Sequence, residues 1–384
     1  MQNINKKLDI KKLKIALMHE YLVKIGGGER VLKVLTDLFP KADIFTIVYD
    51  PDQVRKILKK PHQIKSSFLQ HFLGGVSKYQ LYLPWMAKAV ESLDFSKYNL
   101  VISDNHSFSK GVITGNKTFH INYCYTPTRY LWLNPTEHIK RTQFFGPFKK
   151  IIPYFINRLK KWDFEAAKRP DIFVSICKNV QKRVKKYYNR NSQIIYPPID
   201  WDFFRPTGQT SDFFLYISRL EPHKKPDLAV LAFVKNGLPL KVVGTGSMFD
   251  SLKASASSNI EFLGEVSDTK LRDLYSAAKA VIFPQEEDFG LVPLEAAACG
   301  TPTIAFAKGG ALETVIEGKT GTFFHQPNPA SLNLAITKFN RKKYLARSLR
   351  SHAKKFSIQS FQIKFLQMMV REYSRWLKNS KNNK

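Results

Sequence analysis

Four charged residues in the second half of the 384-residue chain are spaced so that they could hold a phosphorylated ligand. In the segment Phe283-Pro-Gln-Glu-Glu287-Asp-Phe-Gly290-Leu-Val-Pro-Leu-Glu295, an apolar strand ends at Phe283, an acidic loop follows, and a helix opens near Gly290 or Leu291. In an open α/β sheet, ligands gather outside the carboxyl ends of the strands. A helix start placed there offers its free backbone amides to an anion such as a diphosphate. Glu287 lies in the loop and can reach just beyond the phosphates, or it simply complements the helix dipole. Glu295 sits one turn into the helix, within reach of a hydroxyl-bearing group such as ribose, or it faces solvent. In Tyr216-Ile-Ser-Arg219-Leu-Glu-Pro-His-Lys224, Arg219 and Lys224 follow the first strand of this half. A guanidinium fork and a point-charge ammonium suit two phosphates, although exposed loop cations are commonly just solvated. Gly244 and Gly246, in a Gly-Thr-Gly after the next strand, are compatible with a close approach of backbone to nucleotide or with a plain turn. Lys308-Gly309-Gly310 is a similar glycine-rich helix opening.

The elements that must position these residues follow from hydrophobic patterning. Apolar runs at Lys14–Met18, Ile44–Val48, Leu100–Ser103, Phe119–Tyr125 and Ile172–Ile176 alternate with helical stretches, among them Glu29–Phe39 after a loop at Gly26–Gly28. This alternation predicts a parallel sheet. Pro197-Pro198 and Arg205-Pro206-Thr207-Gly208 mark a boundary. A second series then runs Phe213–Ile217, Leu240–Val243, Ile260–Leu263, Ala280–Pro284, Thr303–Phe306 and Thr322–Phe324. Asn328-Pro329 opens a helix toward Phe339, and Ile358–Leu377 has an amphipathic helical period rich in cations. The expectation is two Rossmann-like domains with a cleft between them.

The second half resembles the donor domain of the GT-B glycosyltransferases, specifically the retaining family 4. Glu287 and Glu295 match that family's E-x7-E, inside EEDFGLVPLEAAACGTP, and Arg219 and Lys224 match its R-x4-K. The likeness continues through GTG, IEFLGEVSD and KGGALETVIEGKTG, over roughly residues 213–326. Within the family the wording resembles bacterial mannosyltransferases of O-antigen and exopolysaccharide assembly, of the WbaZ type. The resemblance implies an α/β GT-B fold: two Rossmann-like domains, a nucleotide-sugar cleft between them, and a C-terminal helix crossing back to the first. Boundaries then fall at 1–205 plus 356–384 for the acceptor domain and 206–355 for the donor domain. By the same resemblance, Arg219 and Lys224 neutralise the leaving diphosphate, Glu295 holds the ribose hydroxyls, and Glu287 contacts the sugar near the reacting carbon. The amides of Phe289, Gly290 and Leu291 add to phosphate binding. No cofactor or metal is implied. The co-substrate is a nucleotide diphosphate sugar, GDP-mannose first and a UDP-sugar as the alternative. Asp50-Pro-Asp52 spells a metal-binding DxD, but it lies in a turn after a strand and reads as coincidence.

The first half shares the likeness through HEYLVKIGGGERVL, ISDNHSFSKGVI and YCYTPTRYLW. It implies that Gly27 and Gly28, in a Gly26–Gly28 loop, face the donor sugar and phosphates. His106 follows a strand at its carboxyl end and could contact acceptor or phosphate, although a lone histidine is more often structural. Arg129 and Tyr130 could touch the acceptor. Close relatives read Cys-His-Thr-Pro where this chain has Cys124-Tyr125-Thr126-Pro127. A tyrosine keeps a hydroxyl there but carries no charge near neutral pH.

Sixty-one Lys and Arg against 31 Asp and Glu make a formal charge of +30. By segment it is +20 over residues 1–200, −2 over 201–340 and +12 over 341–384, counted from the same sequence. Together with aromatic and lysine mixing at Phe68–Val90 and Phe144–Phe155, that field suits peripheral contact with an anionic membrane, or else lysine-rich composition serving solubility and core helices with lysines at their edges. The partners expected are a sugar nucleotide and a glycan acceptor, lipid-linked on a polyprenol diphosphate or growing. No uncharged run reaches the ~18–20 residues of a membrane span. Three scattered cysteines exclude a disulfide framework and suit a reducing compartment. The expected location is therefore cytoplasmic, peripheral on the inner face of the membrane. Rival readings are a sugar-nucleotide epimerase or phosphorylase-like enzyme of the same fold, and a basic nucleic-acid-binding protein. The acidic loop Glu286–Asp288 disfavours the latter, and no GxGxxG follows the first strand of either half to support an NAD enzyme.

Overall fold

The computed structural model describes residues 12–58, 62–133, 152–208 and 210–382. The chain forms two compact units, Met1–Pro197 with Phe361–Lys384, and Pro198–Ser360. In the first unit, β1 (Ile15–His19), β2 (Asp43–Thr46), β3 (Ile64–Ser66), β4 (Leu100–Asn105), β5 (Phe119–Cys124), β6 (Ile172–Ser175) and β7 (Ser192–Ile194) form one parallel sheet in the order 3-2-1-4-5-6-7. In the second, β8 (Phe214–Ile217), β9 (Leu240–Val243), β10 (Ile260–Gly264), β11 (Ala280–Phe283), β12 (Thr303–Phe306) and β13 (Gly321–Phe324) repeat the pattern as 10-9-8-11-12-13. Both are Rossmann-like orders that reverse direction beside their first strand, between β1 and β4 and between β8 and β11. Ligands of open parallel sheets bind at such switch points.

Strands buried on both faces should be near-continuous apolar runs, and most are. The exceptions carry the polar chemistry of the first unit. Every residue of β4 and β5 is buried, yet Ser103, His120 and Asn122 lie among them. The Ser103 hydroxyl meets His120 Nε2 at 2.7 Å, and Asn122 Nδ2 donates to Ser103 Oγ at 2.9 Å. Burial, with smaller contributions from Arg190 and Arg169, pushes His120 down to about 3, so it serves here as a neutral ring.

A second polar centre ties the helices to that sheet. Asp163, on the helix Ile152–Ala166, is 1% exposed at its side chain and pairs with Lys110, itself 0% exposed, at 2.5 Å. It also accepts from Thr128 Oγ1 and Trp132 Nε1 at 2.7 Å and from the Tyr188 hydroxyl at 2.8 Å. A buried carboxylate this well satisfied fixes the approach of three segments at once.

The helix Gly27–Leu38 begins two residues earlier than the glycine-rich segment predicts. Gly26 is its N-cap, and Gly27 and Gly28 form its first turn rather than a loop. Asp50 accepts from the backbone of Asp52 at 2.8 Å and Gln53 at 3.4 Å, capping the helix Pro51–Ile57, so the DxD string has a structural task. Asn328 likewise caps Pro329–Lys338 through the Ser331 amide. The C-terminal helix Ile358–Asn382 enters the first unit from Phe361 onward, as the GT-B resemblance predicts. There Phe361 and Phe365 meet Tyr123, Phe365 also meets Phe39, and Tyr373 and Trp376 meet Phe119.

Counted over the observed units, the first holds 41 Lys and Arg against 15 Asp and Glu, net +26. The second holds 20 against 16, net +4. The basic tail is thus divided, because Arg341–Lys355 belongs to the second unit. Of the two aromatic-basic stretches, Phe144–Phe155 lies outside the described residues as far as residue 151. No helix among the described residues is long and apolar enough to cross a membrane.

Removing one partner of a buried ion pair strands the other charge. Asp163→Ala is expected to lower unfolding free energy by about 3–5 kcal/mol. Arg55→Ala, which breaks an ion pair more than 70% exposed on both sides, should change it little. Urea unfolding of the two variants decides; equal small losses would mean that the Asp163 centre is not structural.

Candidate active site

In the second unit Arg219, Lys224 and Glu287 lie on loops at the carboxyl edge of the sheet, where only Lys224 and Glu287 meet, while Glu295 lies within the following helix. The loop after β8 folds into a single 3-10 turn, Pro222–Lys224. The buried Tyr216, on β8, donates its hydroxyl to the Lys224 carbonyl at 3.0 Å and so fixes where that lysine starts. Lys225 follows in the left-handed region (φ 55°) and opens the helix Pro226–Asn236. Lys224 Nζ pairs directly with Glu287 Oε1, the two side chains being 17% and 25% exposed. Residues 63 apart in sequence thus meet because β8 and β11 are neighbours at the switch point. Arg219 sits on the same loop and is exposed.

The two glycine motifs hold the loops. Gly244 has φ 121°, and a Cβ there would lie 1.9 Å from the Ser218 carbonyl oxygen. Its amide donates to Gly264 O at 2.7 Å. A Cβ on Gly246 would lie 2.6 Å from Leu220 O. Around them Leu220 N donates to Thr245 O, Met248 N to Leu220 O, and Ser247 to the Glu221 carboxylate. Glycine is therefore required here for contact between two protein backbones, and Gly244 and Gly246 act by clamping the Arg219–Lys224 loop. Gly309 and Gly310 do the same for the acidic loop: a Cβ on either would fall 2.2–2.4 Å from the backbone of Glu287 or Phe289, and Gly310 N donates to Glu287 O at 2.8 Å.

The helix beyond the acidic loop is Val292–Ala298, with Leu291 as its N-cap. Gly290 takes φ 90°, and Phe289 is buried against Phe356. Glu295 is not solvated. It is 4% exposed, and its Oε2 accepts from the Tyr275 hydroxyl at 2.9 Å.

The first unit holds a separate cluster at its own switch point. His19, the last residue of β1, contacts Asp104 Oδ1 through Nδ1 at 2.6 Å and Glu29 Oε1 through Nε2 at 3.5 Å. Burial disfavours the charged ring, but Asp104 and Glu29 outweigh it and hold His19 up at about 10. Glu29 lies below the ordinary carboxylate range: burial raises it, and the hydrogen bond and charge of His19 more than reverse that. The Tyr125 hydroxyl is 3.1 Å from both Asp104 Oδ2 and Gly28 O, and burial, then Asp104, keep it neutral. His106 is exposed and stacks on Tyr125 with centroids 4.5 Å apart. A Cβ on Gly28 would come within 3.2–3.4 Å of His106, His19 and Tyr125. Gly28, His106 and Tyr125 are thereby brought together, whereas Gly27 stays exposed. Arg129 and Tyr130 open the short helix Arg129–Trp132 that Asp163 anchors. The spacing argument missed His19, Asp104 and Glu29. His19 and Asp104 carried a signal, an ionisable residue at or beside the end of each of two apolar strands flanking the switch point; Glu29, in the first turn of the helix Gly27–Leu38, carried none.

Among the described residues no group of three or more His, Cys, Asp or Glu could hold a metal ion. The arrangement in the second unit can compensate a diphosphate with two cations and hold a carboxylate next to it.

The stability that His19 contributes should be fully present below about pH 6.5, the model-compound range, and lost as pH rises toward 10. The difference in urea midpoint between the wild type and His19→Gln is therefore expected to narrow from pH 6 to pH 10. A constant difference would show that the ring is neutral in the fold.

Residues 200–356 match the family described as Glycosyl transferases group 1. The chain is 30% identical over 200 residues to a D-inositol 3-phosphate glycosyltransferase of Geodermatophilus obscurus, covering 44% of each protein. It is 34% identical over 154 residues to one of Mycobacterium avium, covering 34% of this chain and 36% of that protein. The chain thus spans less than half the length of these relatives. Its fold is similar to sucrose-phosphate synthase of Thermosynechococcus elongatus, at TM-score 0.72 and 16% identity over 94% of this chain and all of that one. It is also similar to Anabaena HepE in complex with UDP, at 0.67 and 15% over 94% and 100%. WaaG, a glycosyltransferase involved in lipopolysaccharide biosynthesis, is similar at 0.62 and 17% over 92% and 99%. The protein has the GT-B fold, and residues 200–356, almost all of its second unit, match the group 1 glycosyltransferase family.

Proposed function

We propose that the protein is a retaining glycosyltransferase of family 4 type. It moves a hexose from a nucleotide diphosphate sugar to a lipid-linked or growing glycan acceptor, in the synthesis of a cell-surface polysaccharide. The observation that carries this reading is the Lys224–Glu287 pair, with Arg219 on the same loop, at the switch point of a group 1 domain. In the ligand-free protein the two charges satisfy each other. An arriving diphosphate offers Lys224 a stronger partner, and Lys224 then leaves Glu287 free to face the sugar. The bond from the anomeric carbon to the phosphate oxygen breaks as that carbon bonds to the acceptor hydroxyl on the same face, and the hydroxyl proton passes to the departing phosphate oxygen. Charge then gathers on the leaving diphosphate, where Arg219 and Lys224, with the amides near Phe289, Gly290 and Leu291, stabilise it. Glu295 holds the ribose hydroxyls by exchanging its Tyr275 bond. His106, stacked and exposed, with Arg129 and Tyr130, serves the acceptor side. No covalent intermediate is assigned.

Mannose from GDP-mannose is the donor we place first. A UDP-sugar is the alternative, supported by the UDP held by the similar Anabaena protein. The acceptor is a polyprenol-diphosphate glycan, and the enzyme works at the cytoplasmic face as a peripheral protein. The net +26 of the first unit supports that placement; nucleic acid is not a partner.

Thermal unfolding with a panel of sugar nucleotides tests the donor. The true donor should raise the melting temperature with the logarithm of its excess over Kd, and no stabilisation by any member sinks the reading. Lys224→Ala is expected to lower kcat on the order of 10²–10³-fold while the protein stays folded. Glu287→Gln should lower turnover far more than nucleotide affinity; equal losses in both would make it a binding residue only. Interconversion of sugars without acceptor would favour the epimerase reading.

A further inference from the structure

We propose that the chain between Phe68 and Trp85 is a docking surface for an anionic lipid bilayer, entered by Phe72, Leu73, Leu81 and Trp85. This surface gives the membrane side of the proposed function a specific location. Its observations do not involve the donor site, and its test uses no sugar nucleotide, so either reading can fail alone.

Single exposed apolar side chains are ordinary on a protein surface. Here four fall within fourteen residues: Phe72 is 40% exposed, Leu73 95%, Leu81 62% and Trp85 48%. The segment is also built rather than loose. Two 3-10 turns, Phe68–His71 and Tyr79–Trp85, flank a tight reversal at Gly74 and Gly75. Gly74 takes φ 68°, and a Cβ on Gly75 would lie 2.3 Å from the Leu69 carbonyl oxygen. The Tyr82 hydroxyl donates to Leu73 O at 2.5 Å, and the Phe72 and Tyr82 rings meet edge-on at 5.3 Å. Leu73 is thus held out at the turn by fixed backbone, with no described side chain covering it.

Charge selects the occupant. Residues 53–90 contain seven Lys and Arg and no Asp or Glu. Arg55 and Lys65 are engaged by Asp52 and Asp43, while Lys78 and Lys88 are exposed within and just beyond the apolar segment. Leucine and aromatic side chains interleaved with lysine, with no carboxylate, match the boundary between acyl chains and anionic headgroups. A protein partner would need acidic residues facing every lysine; a bilayer supplies that charge laterally and without register.

The full chain is sedimented with vesicles of phosphatidylcholine alone or mixed with phosphatidylglycerol. Binding is expected on the mixed vesicles and little on the neutral ones. The Leu73→Asp/Leu81→Asp pair should lower partitioning on the order of tenfold or more. Leu334→Asp/Leu345→Asp, at exposed leucines of the second unit, should leave it unchanged. The tryptophan emission should shift to the blue on mixed vesicles, and Trp85→Phe should remove that shift. If the aspartate pair melts early, Lys78→Glu/Lys88→Glu replaces it, with loss of the preference for mixed vesicles as the expected result. Equal partitioning of variant and wild type, an absent Trp85 shift, or no vesicle binding overturns the proposal. Self-association that the aspartate pair abolishes while vesicle binding persists also overturns it, in favour of a protein interface.

Discussion

The candidate donor site depends on backbone pressed against backbone. Two loops at the carboxyl edge of the second sheet approach their neighbours so closely that a single methyl group would not fit, at Gly244 and Gly246 against Ser218 and Leu220, and at Gly309 and Gly310 against Glu287 and Phe289. This packing brings the strand ends of β8, β9, β11 and β12 into one rim, and Lys224 and Glu287 meet on it. Charged side chains on free loops would have to be ordered at each binding event, at an entropic cost. Here the ordering is done by folding, through contacts that involve no functional group at all.

Each unit then compensates its charges in a different way. In the second, one cation and one carboxylate pair at a partly exposed rim, where a competing anion can separate them at modest cost. In the first, His19 is locked between Asp104 and Glu29 and almost wholly buried. Separating those groups would strand charge in a low dielectric. The first cluster is therefore a permanent fixture, holding Gly28, Tyr125 and the exposed His106 in a fixed relation. It also accounts for a tyrosine at position 125. The cation facing Asp104 is His19, so position 125 needs only a hydroxyl that can reach Asp104 and the helix backbone.

The strands and the donor motifs were legible because they depend on local information. Eleven apolar runs matched strands to within a few residues, since burial on both faces demands a continuous hydrophobic run. Of the R-x4-K and E-x7-E residues the structure joins Lys224 to Glu287, while Arg219 stays exposed and Glu295 is bonded to Tyr275. The short strands Ile64–Ser66 and Ser192–Ile194 were missed, as three residues leave no period to detect. Asp163 was invisible for the opposite reason: its partners Lys110, Thr128, Trp132 and Tyr188 are spread over nearly eighty residues, and only tertiary packing assembles them. The glycine-rich Gly26–Gly28 read as a loop because glycine is a poor helix former. The helix nevertheless runs through Gly27 and Gly28, and a side chain at Gly28 would crowd the rings of His106, His19 and Tyr125.

The charge of the first unit shows how composition and packing divide their tasks. Burial uses very little of it: Lys110 answers Asp163, His19 answers Asp104 and Glu29, and Lys65 answers Asp43. More than twenty positive charges remain without a carboxylate to match them in the count. Such an excess destabilises a compact unit through self-repulsion, and nothing in the sheet or its helices requires it. The second unit, with the same topology and a net +4, demonstrates that this fold is built without it. Counterions screen part of that cost in solution, and any extended anion the unit meets would lower it further. The +26 is therefore not a requirement of the fold, since a unit of the same topology is built at +4.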